Sequence, residues 1–509
     1  MAELIAGERR IDMSEVNTRA ARAARGFLAM GLGDGDAVAL YLRNDIPFFE
    51  ASLAAGLIGA YATPINWHFT ADEAGYILRD SGAKALLVHA DLWPAIAGTV
   101  PDGIAVFVVP TPPEIRAAYH LADMPVPPGM PEWGAWVDAQ EPLTGVAPPP
   151  RASMIYTSGT TGRPKGVRRQ RPTPQQAARH LEFGGRTYGL KPDGRTVALM
   201  NGPMYHSAPN AYAMLAARTG AGIVLQPRFD PEELLALIER HRVTHMHIVP
   251  TMFVRLLKLP DDVRRRYDLS SLRWVIHGAA PCPPAVKRAM IDWWGPVINE
   301  YYGATETGIT VWHSAAEALE RPGTVGRVMD FAEVRVLDEA GRTLPPGEVG
   351  EIYMRVHDLP DFTYQGADDK RAEVGHEHLV TVGDVGWIDR DGYVFLCDRK
   401  RDMVISGGVN IYPAEIEAVL IGMPGVKDCA VFGIPDEEFG ESLCAHVEPD
   451  DAAAAPTPAA IRAWLAERLA KYKLPRVIEI AATLPREDSG KIFKRKLRAP
   501  YWEAAGRSI

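Results

Sequence analysis

Short apolar runs typical of buried strands alternate with helix-like patterns through the first 300 residues. The run "AVALYL" (37–42) precedes the helix-like "IPFFEASLAAGLIGA" (46–60), and "KALLVH" (84–89), "VTHMHIVP" (243–250) and "LRWVIHGAAP" (272–281) are further strand candidates. Buried strands separated by helices form parallel sheets, because a crossover helix is what returns the chain to the same edge. We therefore predict an α/β fold whose large N-terminal domain consists of doubly wound βαβ subdomains.

The pattern changes after about residue 320. Residues 325–356 alternate like successive hairpins, which predicts a small β-barrel-like subdomain, and the chain from about 400 has the pattern of a compact α+β unit. The predicted division is a large domain over 1–398 and a small C-terminal domain over 399–509. The clearest helix of the small domain is 457–473, where Thr457 is the expected N-cap. The residues expected on its core face are Ile461, Trp464, Leu465, Leu469 and Tyr472.

Composition excludes several classes of protein. A net charge of −9 gives the whole molecule no electrostatic reason to bind nucleic acid. The four cysteines form no CxxC pair, which excludes a disulfide framework or a cysteine zinc site and favours a reducing cytoplasm. No signal peptide or transmembrane segment is expected, since the longest apolar stretch is short for a bilayer span. Peripheral membrane contact and the oligomeric state stay open.

Three histidines stand close together in "HRVTHMHIVP", at His241, His245 and His247. Such a cluster could bind a metal ion. The alternating pattern of the segment is more typical of a buried strand that carries histidines, and we favour that interpretation.

The loop "YTSGTTGRPKG" (156–166) has the composition of a phosphate-binding segment. Gly159 and Gly162 permit close backbone approach, and Lys165 supplies positive charge. Hydroxyl donors come from Thr157, Ser158, Thr160 and Thr161. The loop is not a Walker A motif, because that motif requires Gly-Lys-Ser/Thr and here Pro164 precedes the lysine. A merely flexible turn is the alternative interpretation.

Three further segments suit a nucleotide. "NEYYGATETG" (299–308) offers aromatic rings for stacking and the carboxylate of Glu306 for magnesium. Asp384 could bridge two ribose hydroxyls, and Arg399 follows it before a Gly407-Gly408 loop. Lys491 stands on a Gly-containing turn in "PREDSGKIFKRKLR" (485–498).

These four motifs, in this order and over nearly the whole chain, resemble the adenylate-forming (ANL) superfamily. That superfamily comprises acyl-CoA and aryl-CoA synthetases, adenylation domains and luciferases. The resemblance implies that ATP and a carboxylic acid form an acyl-adenylate and pyrophosphate, after which a thiol takes the acyl group. The implied cofactors are ATP and Mg²⁺, with CoA as co-substrate. The segment "PMYHSAP" (203–209) is similar to its counterparts in fatty-acid and bile-acid CoA ligases.

The resemblance also implies roles for individual residues. Glu306 would hold magnesium, and Lys491 matches the mobile catalytic lysine of the superfamily. Thr305 and His206 are the other implied catalytic residues. The implied ATP-binding residues are Thr157, Ser158, Gly159, Thr160, Thr161, Lys165, Gly278, Ala279, Ala280, Tyr302, Gly303, Thr305, Asp384, Arg399 and Lys491.

The acid pocket implied by the resemblance is mostly small or apolar, so the tail of the acid should be hydrophobic. Its residues are His206, Ser207, Ala208, Gly278, Tyr301, Ile309 and Trp312. Malonyl-CoA synthetases place an arginine where Tyr301 stands, which argues against a dicarboxylic acid. Fatty, bulky alicyclic and aryl acids stay open, and fatty or similarly bulky acids are favoured.

In this superfamily the small domain is mobile and rotates between the two half-reactions. The implied hinge is Arg401, where relatives commonly carry Asp or Lys. The implied CoA-binding residues are Gly407, Gly408, Phe439, Tyr472 and Lys473. No carrier-protein domain follows Lys491 in this sequence, which favours CoA as the acceptor. The alternatives are a stand-alone adenylation enzyme that loads a separate carrier protein and a non-catalytic nucleotide-binding regulator, although Lys491, Glu306 and Arg399 are all retained.

Replacing Lys491 with alanine tests the catalytic assignment. Negative charge grows on the phosphoryl oxygens as the acid attacks, so Lys491→Ala should slow acyl-adenylate formation by about 100-fold or more. Thioester formation from supplied acyl-AMP should be largely spared. Stopped-flow assays of the two half-reactions measure both effects, and equal loss in both would contradict the assignment.

Overall fold

The computed structural model describes residues 2–157, 164–486 and 492–505. It is an α/β protein, and its first part confirms the alternation of strands and helices. Local chemistry sets the helix starts: the Asp45 carboxylate accepts from the Ile46 amide, and Thr70 forms a capping box with Glu73. The elements up to residue 157 are β1 (Glu3–Ala6), β2 (Arg9–Asp12), α1 (Met13–Ala29), β3 (Ala37–Tyr41), α2 (Ile46–Leu57), β4 (Tyr61–Pro64), α3 (Ala71–Asp80), β5 (Ala83–His89), α4 (Trp93–Ile96), β6 (Ala105–Val109), α5 (Pro113–Tyr119), α6 (Trp133–Asp138) and β7 (Ile155–Thr157).

Strands β3 to β6 form a parallel sheet of order β4-β3-β5-β6. Every residue of β3 is buried, as expected of a strand covered on both faces. The next elements lead into a second and larger sheet. They are β8 (Lys165–Arg169), α7 (Pro174–Tyr188), β9 (Val197–Met200), α8 (Ser207–Arg218), β10 (Gly222–Leu225), α9 (Pro231–His241), β11 (His245–Ile248), α10 (Pro250–Leu257), α11 (Asp261–Arg264), β12 (Trp274–His277), α12 (Pro284–Trp294), β13 (Ile298–Ala304), β14 (Gly308–His313) and α13 (Ala315–Glu320).

The region after residue 320 is antiparallel, as its hairpin-like pattern predicts. Most of its strands continue the large sheet beyond β14, whereas the one at Phe362–Tyr364 pairs with β8 in a separate three-stranded sheet with β7. The elements are β15 (Gly326–Val328), β16 (Ala332–Leu337), β17 (Gly350–Val356), β18 (Phe362–Tyr364), α14 (Asp369–Glu373), β19 (Gly375–His376), β20 (Leu379–Ile388) and β21 (Tyr393–Arg399). The path of the sheet is β16-β17-β20-β21-β15-β14-β13-β12-β11-β9-β10-β1-β2, with β10, β9, β11, β12 and β13 parallel.

The C-terminal part has its own sheet and its own hydrophobic core. The sheet runs β23-β22-β25-β24, and β26 lies parallel to β25. Residues such as Ile416, Val431 and Leu465 form the core. The elements are β22 (Val404–Ser406), β23 (Val409–Ile411), α15 (Pro413–Ile421), β24 (Val426–Asp436), β25 (Gly440–Pro449), α16 (Pro458–Ala466), β26 (Val477–Ile480) and α17 (Lys494–Ala504), with 3-10 turns at Ala97–Thr99, Ala452–Ala454 and Lys471–Lys473. The boundary at 398/399 stays a prediction.

The helix predicted over 457–473 is shorter than its pattern indicates. Thr457 caps it as predicted, and Ile461 and Leu465 are fully buried. It ends at Ala466, however, and Tyr472 lies in a 3-10 turn with 55% of its surface exposed, so the prediction that Tyr472 faces the core is wrong. The chain must turn back at this point to bring β26 alongside β25, which a longer helix would prevent.

His245 and His247 lie in β11, whose residues are all buried, whereas His241 is the last residue of α9 and is half-buried. Nε2 of His245 lies 3.0 Å from the Gly189 carbonyl oxygen, and Nε2 of His247 lies 2.9 Å from the Tyr301 hydroxyl. Within the three described ranges, no group of three His, Cys, Asp or Glu side chains is arranged to hold a metal ion. All four cysteines are free thiols. No helix in the described part of the chain is long and apolar enough to cross a bilayer.

A buried charged network joins α12 to the middle of the large sheet. The Lys287 ammonium contacts the Glu300 carboxylate, and Nε2 of His313 lies 2.8 Å from the same carboxylate oxygen. Burial disfavours the charged carboxylate, but the surrounding His277, Lys287 and His313 side chains lower the pKa of Glu300 to about 2. The ammonium of Lys287 therefore compensates a charge that has no access to water.

Removing one partner of this network should destabilise the large domain. Lys287→Met leaves the Glu300 carboxylate buried without its cation, so the free energy of unfolding should fall by about 3 kcal/mol. Denaturant titration measures the change. The double variant Lys287→Met with Glu300→Gln removes both charges and should recover much of the loss. Equal destabilisation of the single and double variants would show that the ion pair is not the cause.

Candidate active site

The predicted phosphate loop connects two antiparallel strands, β7 and β8, where a strand followed by a helix N-terminus is the commoner α/β arrangement. Thr157 and Lys165 are opposite residues at the end of this hairpin that the loop connects. Nζ of Lys165 lies 5.4 Å from the centre of the Tyr364 ring. Ser158, Gly159, Thr160 and Thr161 lie outside the described residues, as does Lys491. The pairing of Thr157 with Lys165, 8 positions apart in sequence, therefore holds the two ends of the loop side by side.

Thr305 and Glu306 stand in the turn between β13 and β14, and Arg169 holds this turn in place. One guanidinium nitrogen of Arg169 donates to the carbonyl oxygens of Thr305 at 2.6 Å and Glu306 at 2.7 Å. The other terminal nitrogen donates to the Pro360 carbonyl oxygen at 2.9 Å. Burial lowers the pKa of Arg169 to about 10, so the guanidinium stays charged at neutral pH. The last residue of β8 therefore ties the phosphate hairpin to the predicted catalytic turn.

The Glu306 side chain is half-buried, and desolvation raises the pKa of its carboxylate above the usual value. The Tyr364 hydroxyl donates to its Oε1 at 3.1 Å. A single carboxylate of this kind fits a magnesium ion, because Mg²⁺ usually takes one or two protein carboxylates and completes its shell with phosphates and water. A cation there would also compensate a charge that its surroundings disfavour.

The predicted ribose-binding pair is brought together across two neighbouring strands. Asp384 on β20 is the register partner of Arg399 on β21, and Nε of Arg399 lies 3.4 Å from Oδ1 of Asp384. The Tyr302 hydroxyl donates to Oδ2 of the same carboxylate at 2.7 Å. Side chains from two other strands therefore approach the Asp384 carboxylate.

The predicted adenine-binding segment Gly278-Ala279-Ala280 follows directly after β12. Ala279 has a φ of 67°, a left-handed conformation that is uncommon for a residue with a Cβ atom. A Cβ atom at Gly278 would lie 2.6 Å from Cζ of Tyr301, so only glycine lets that ring approach. A Cβ atom at Gly303 would lie 2.2 Å from the Gly308 carbonyl oxygen, so position 303 also has no room for a side chain.

The loop before α8 carries His206 at the N-cap position. Asn44 supports this loop from the first sheet, because its side chain donates to the Gly202 carbonyl oxygen at 2.8 Å and accepts from the Met204 amide at 2.9 Å. Asn210 adds a bond to the Met204 carbonyl oxygen at 3.0 Å. Ser207 and Ala208 form the first turn of α8. Two asparagines therefore hold the backbone that presents the predicted catalytic histidine.

The other predicted acid-pocket residues lie on β13 and β14. Tyr301 and Trp312 are opposite residues in this antiparallel ladder, so their side chains share one face of the sheet. Ile309 lies nearer the turn, opposite Gly303. His247, which the sequence indicates only as a buried-strand residue, bonds the Tyr301 hydroxyl, and Tyr188 packs against the Tyr301 ring. Tyr212 packs against both Tyr188 and His247. Arg169 is a further residue that was not predicted, although an arginine two residues after buried Val167 on one strand is a detectable signal.

The predicted CoA-binding residues lie on the small C-terminal part. Gly407 and Gly408 have φ values of 57° and 79° and form the two-residue turn between β22 and β23. Phe439 packs so closely that a Cβ atom at Gly407 would lie 2.9 Å from its ring. Lys473 pairs with Glu415 at 2.6 Å, and Tyr472 beside it is exposed. The predicted hinge residue Arg401 lies in the turn between β21 and β22.

A cavity of about 1190 Å³ lies between the large part and the C-terminal part. Asn44, Asn201 and Pro203 from the neighbourhood of His206 line it. Its lining carries the basic side chains Arg43, Arg228, Arg240, Arg255, Lys258, Lys427 and Arg486 and the carboxylates of Glu114, Asp230, Glu233, Asp428 and Asp450. Among the described residues, no carboxylate lies within ion-pair distance of Arg228 or Arg255. The lining therefore has a small excess of positive charge, and two of its arginines are without an ion-pair partner in the described part of the chain.

Comparison with known proteins gives a consistent result over the whole chain. The profile described as "AMP-binding enzyme" matches residues 2–359, and "AMP-binding enzyme C-terminal domain" matches 415–491. A feruloyl-CoA synthase of Amycolatopsis sp is 35% identical, with 96% of this chain and 93% of the relative covered. The long-chain-fatty-acid–CoA ligase FadD13 of Mycobacterium tuberculosis is 32% identical, with coverages of 97% and 93%. The structure of the anthranilate CoA ligase AuaEII in complex with anthranoyl-AMP superposes with a TM-score of 0.85 at 26% identity, covering 99% of this chain and 95% of that chain.

The contacts of Arg169 lead to a prediction for its replacement. Lysine keeps the charge but lacks the planar fork that reaches three carbonyl oxygens, so Arg169→Lys should relax the turn that carries Thr305 and Glu306. We expect acid-dependent ATP–pyrophosphate exchange to fall by about 100-fold. Arg168→Lys on the same strand is the matched control and should change the rate by less than about twofold. Similar rates for the two variants would contradict this role for Arg169.

Proposed function

The chain belongs to the AMP-binding enzyme family, and from this premise we propose that it is an ATP-dependent acid-CoA ligase. The enzyme activates a hydrophobic carboxylic acid as acyl-AMP, with release of pyrophosphate. It then transfers the acyl group to the thiol of CoA. The relatives that are 32–35% identical over most of this chain are CoA synthases and ligases of this kind.

The observation that supports this proposal most is that strand β13 and the turn after it carry the groups proposed for the ribose and for the α-phosphate. Tyr302 bonds the Asp384 carboxylate, and three residues later Thr305 begins the turn that Arg169 holds. Because a strand and its turn form one rigid unit, the distance from ribose to α-phosphate is set before ATP binds. Such preorganisation is what an in-line attack on the α-phosphorus requires.

We assign the adenylation step to residues around this turn. The acid carboxylate attacks the α-phosphorus, and pyrophosphate leaves as a bond to the bridging oxygen breaks. Negative charge grows on the phosphoryl oxygens during the attack, and the Thr305 hydroxyl and the Lys491 ammonium are the proposed donors to them. His206, at the start of α8, is proposed to border the carboxylate of the bound acid. Lys165 and the hydroxyls of the loop after Thr157 are proposed to hold the β- and γ-phosphates.

Magnesium is proposed as the metal cofactor, with Glu306 as its protein ligand. The half-buried carboxylate with a raised pKa supports this assignment, since a cation would compensate its charge. When bound, the ion would neutralise part of the negative charge on the polyphosphate. Tyr364 would orient the carboxylate through the hydrogen bond to Oε1.

CoA is the proposed acceptor. The Gly407-Gly408 turn, with Phe439, Tyr472 and Lys473, is proposed to contact CoA after the small domain rotates about Arg401. The cavity between the two parts supports an anionic co-substrate, because no carboxylate lies within ion-pair distance of its Arg228 and Arg255 side chains among the described residues. Phosphate groups would supply the missing counter-charge.

The acid is proposed to be hydrophobic, because Tyr301, Ile309 and Trp312 border the site from the large-domain core. Relatives named for feruloyl, long-chain fatty and anthranilate substrates leave both alkyl and aryl acids as candidates, so a place in fatty-acid or lipid metabolism is only one of them. We also propose a cytoplasmic location, which the four free thiols support.

A substrate panel tests the proposed function. The purified protein is incubated with ATP and magnesium and with acetate, octanoate, palmitate, benzoate, cinnamate or a bile acid, with and without CoA. We expect AMP, pyrophosphate and an acyl-CoA from one group of acids, with the Lys491→Ala variant as the inactive control. Acyl-AMP formation that CoA does not convert to a thioester would point to a separate carrier protein. ADP as the product, or no nucleotide turnover with any acid, would contradict the proposal.

A further inference from the structure

The side chain of Tyr364 contacts two groups of opposite charge at the candidate active site. Its hydroxyl donates to Oε1 of Glu306 at 3.1 Å, and the ammonium of Lys165 lies over its ring, 5.4 Å from the ring centre. Both charged side chains are half-buried, whereas Tyr364 is 6% exposed. One tyrosine therefore meets a cation with the electron-rich face of its ring and an anion with its hydroxyl.

Strand pairing fixes the position of Tyr364. It is the last residue of β18 and the register partner of Val167 on β8. The amide of the next residue, Gln365, donates to the Gly166 carbonyl oxygen at 2.8 Å. The Phe362 ring packs against the Tyr364 ring at 5.4 Å between ring centres. The ring of Tyr364 therefore belongs to a small packed core and is not free to swing aside as a surface side chain is.

The two charged groups that touch Tyr364 do not pair with each other. Neither Lys165 nor Glu306 has an ion-pair partner in the part of the chain that the structure describes. The nearby guanidinium of Arg169 is taken up by backbone carbonyl oxygens. Opposite charges attract more strongly in a partly desolvated site than in water, and a lysine has a flexible four-carbon stem. The separation of Lys165 from Glu306 therefore requires an explanation.

We propose that Tyr364 is a positioning residue whose ring keeps Lys165 and Glu306 apart, so that the free enzyme presents the ammonium to phosphate groups and the carboxylate to magnesium. This inference rests on the roles that the proposed function gives to Lys165 and Glu306. If the two side chains paired, the ammonium would be unavailable to phosphate and the carboxylate to the metal ion. ATP would then bind only the fraction of molecules in which the pair is open, and its apparent affinity would fall in proportion.

Removing the ring without changing either charge tests this role. ATP binding to the purified protein is measured by calorimetry, without acid or CoA and with EDTA in place of magnesium. In Tyr364→Leu the ammonium of Lys165 can pair with Glu306, so ATP should bind about tenfold more weakly than it binds wild type. In the double variant Tyr364→Leu with Glu306→Gln the lysine has no anionic partner, and most of the loss should be recovered.

Glu306→Gln alone supplies the baseline, since loss of a nearby negative charge by itself tightens the binding of an anion. The recovery in the double variant should exceed that gain. A ring that is needed only for packing would not be replaced by a change at Glu306. A recovery no larger than the gain from Glu306→Gln in the wild-type background would therefore overturn the proposal.

Tyr364→Phe keeps the ring and removes only the hydroxyl. ATP binding in EDTA should stay within about twofold of wild type. The magnesium concentration that half-maximally tightens ATP binding should rise by about tenfold, because the Glu306 carboxylate loses the group that orients it. This variant removes little volume, so it tests the proposal even if Tyr364→Leu does not fold. A tenfold loss of ATP binding in EDTA would show that the ring alone does not keep the charges apart and would overturn the proposal.

Tyr393 offers a matched control, because it has the same kinds of contact away from the candidate site. Its hydroxyl donates to Oε1 of Glu317 at 3.0 Å, and the guanidinium carbon of Arg321 lies 4.5 Å from its ring centre. Tyr393→Leu should lower the thermal midpoint, as Tyr364→Leu should, because both remove a buried ring. It should leave ATP binding within about twofold of wild type. A tenfold loss would show that ATP binding responds to any such loss of packing, and would overturn the role of Tyr364.

The outcomes separate this inference from the function on which it rests. If the variants bind ATP as expected and no acid yields a CoA thioester, the role of Tyr364 stands and the acid-CoA ligase function fails. If a thioester forms and Glu306→Gln does not rescue Tyr364→Leu, the function stands and the inference is wrong. A wild type that binds no ATP in EDTA would also overturn the inference, because Lys165 would then contribute nothing that pairing could remove.

Discussion

The buried guanidinium of Arg169 is the contact on which the candidate site depends. It belongs to β8, the second strand of the phosphate hairpin, and it donates to the carbonyl oxygens of Thr305, Glu306 and Pro360. Burying a charge is costly unless hydrogen bonds compensate it, and here three carbonyl oxygens do so. Those carbonyl oxygens would in turn lose their donor without it. The phosphate hairpin and the catalytic turn therefore form one unit, although the two segments are 136 residues apart.

Three successive residues of strand β13 make contacts of three different kinds. Glu300 is part of the buried charged network with Lys287, Tyr301 packs into the core beside the acid pocket, and Tyr302 packs into a different core and bonds Asp384. Successive side chains of a strand point to opposite faces, so the two adjacent tyrosines face different surroundings. The proposed acid pocket and the proposed nucleotide site are thus adjacent in sequence yet lie on opposite faces of the sheet.

This separation has a consequence for substrate choice. The face that carries Tyr301 is closed by the helices α7 and α8, which contribute Tyr188 and Tyr212. Substitutions in those helices can reshape the acid pocket while the opposite face keeps its contacts to Asp384 and Arg399. A family fold that uses one nucleotide with many acids needs that independence.

The sequence by itself determined the α/β class, the strands β3, β5, β11 and β12, the order of the nucleotide motifs and the Thr457 cap, because each depends on residues close together in the chain. The early end of the helix at Ala466 and the exposure of Tyr472 were decided by the strand β26 that follows. Tertiary structure alone decided that Arg169 holds the turn at Glu306, that His247 bonds Tyr301 and that Tyr364 reaches Glu306. The physical reason is distance along the chain: hydrogen bonds between residues more than 50 positions apart leave no local pattern of spacing or polarity to detect.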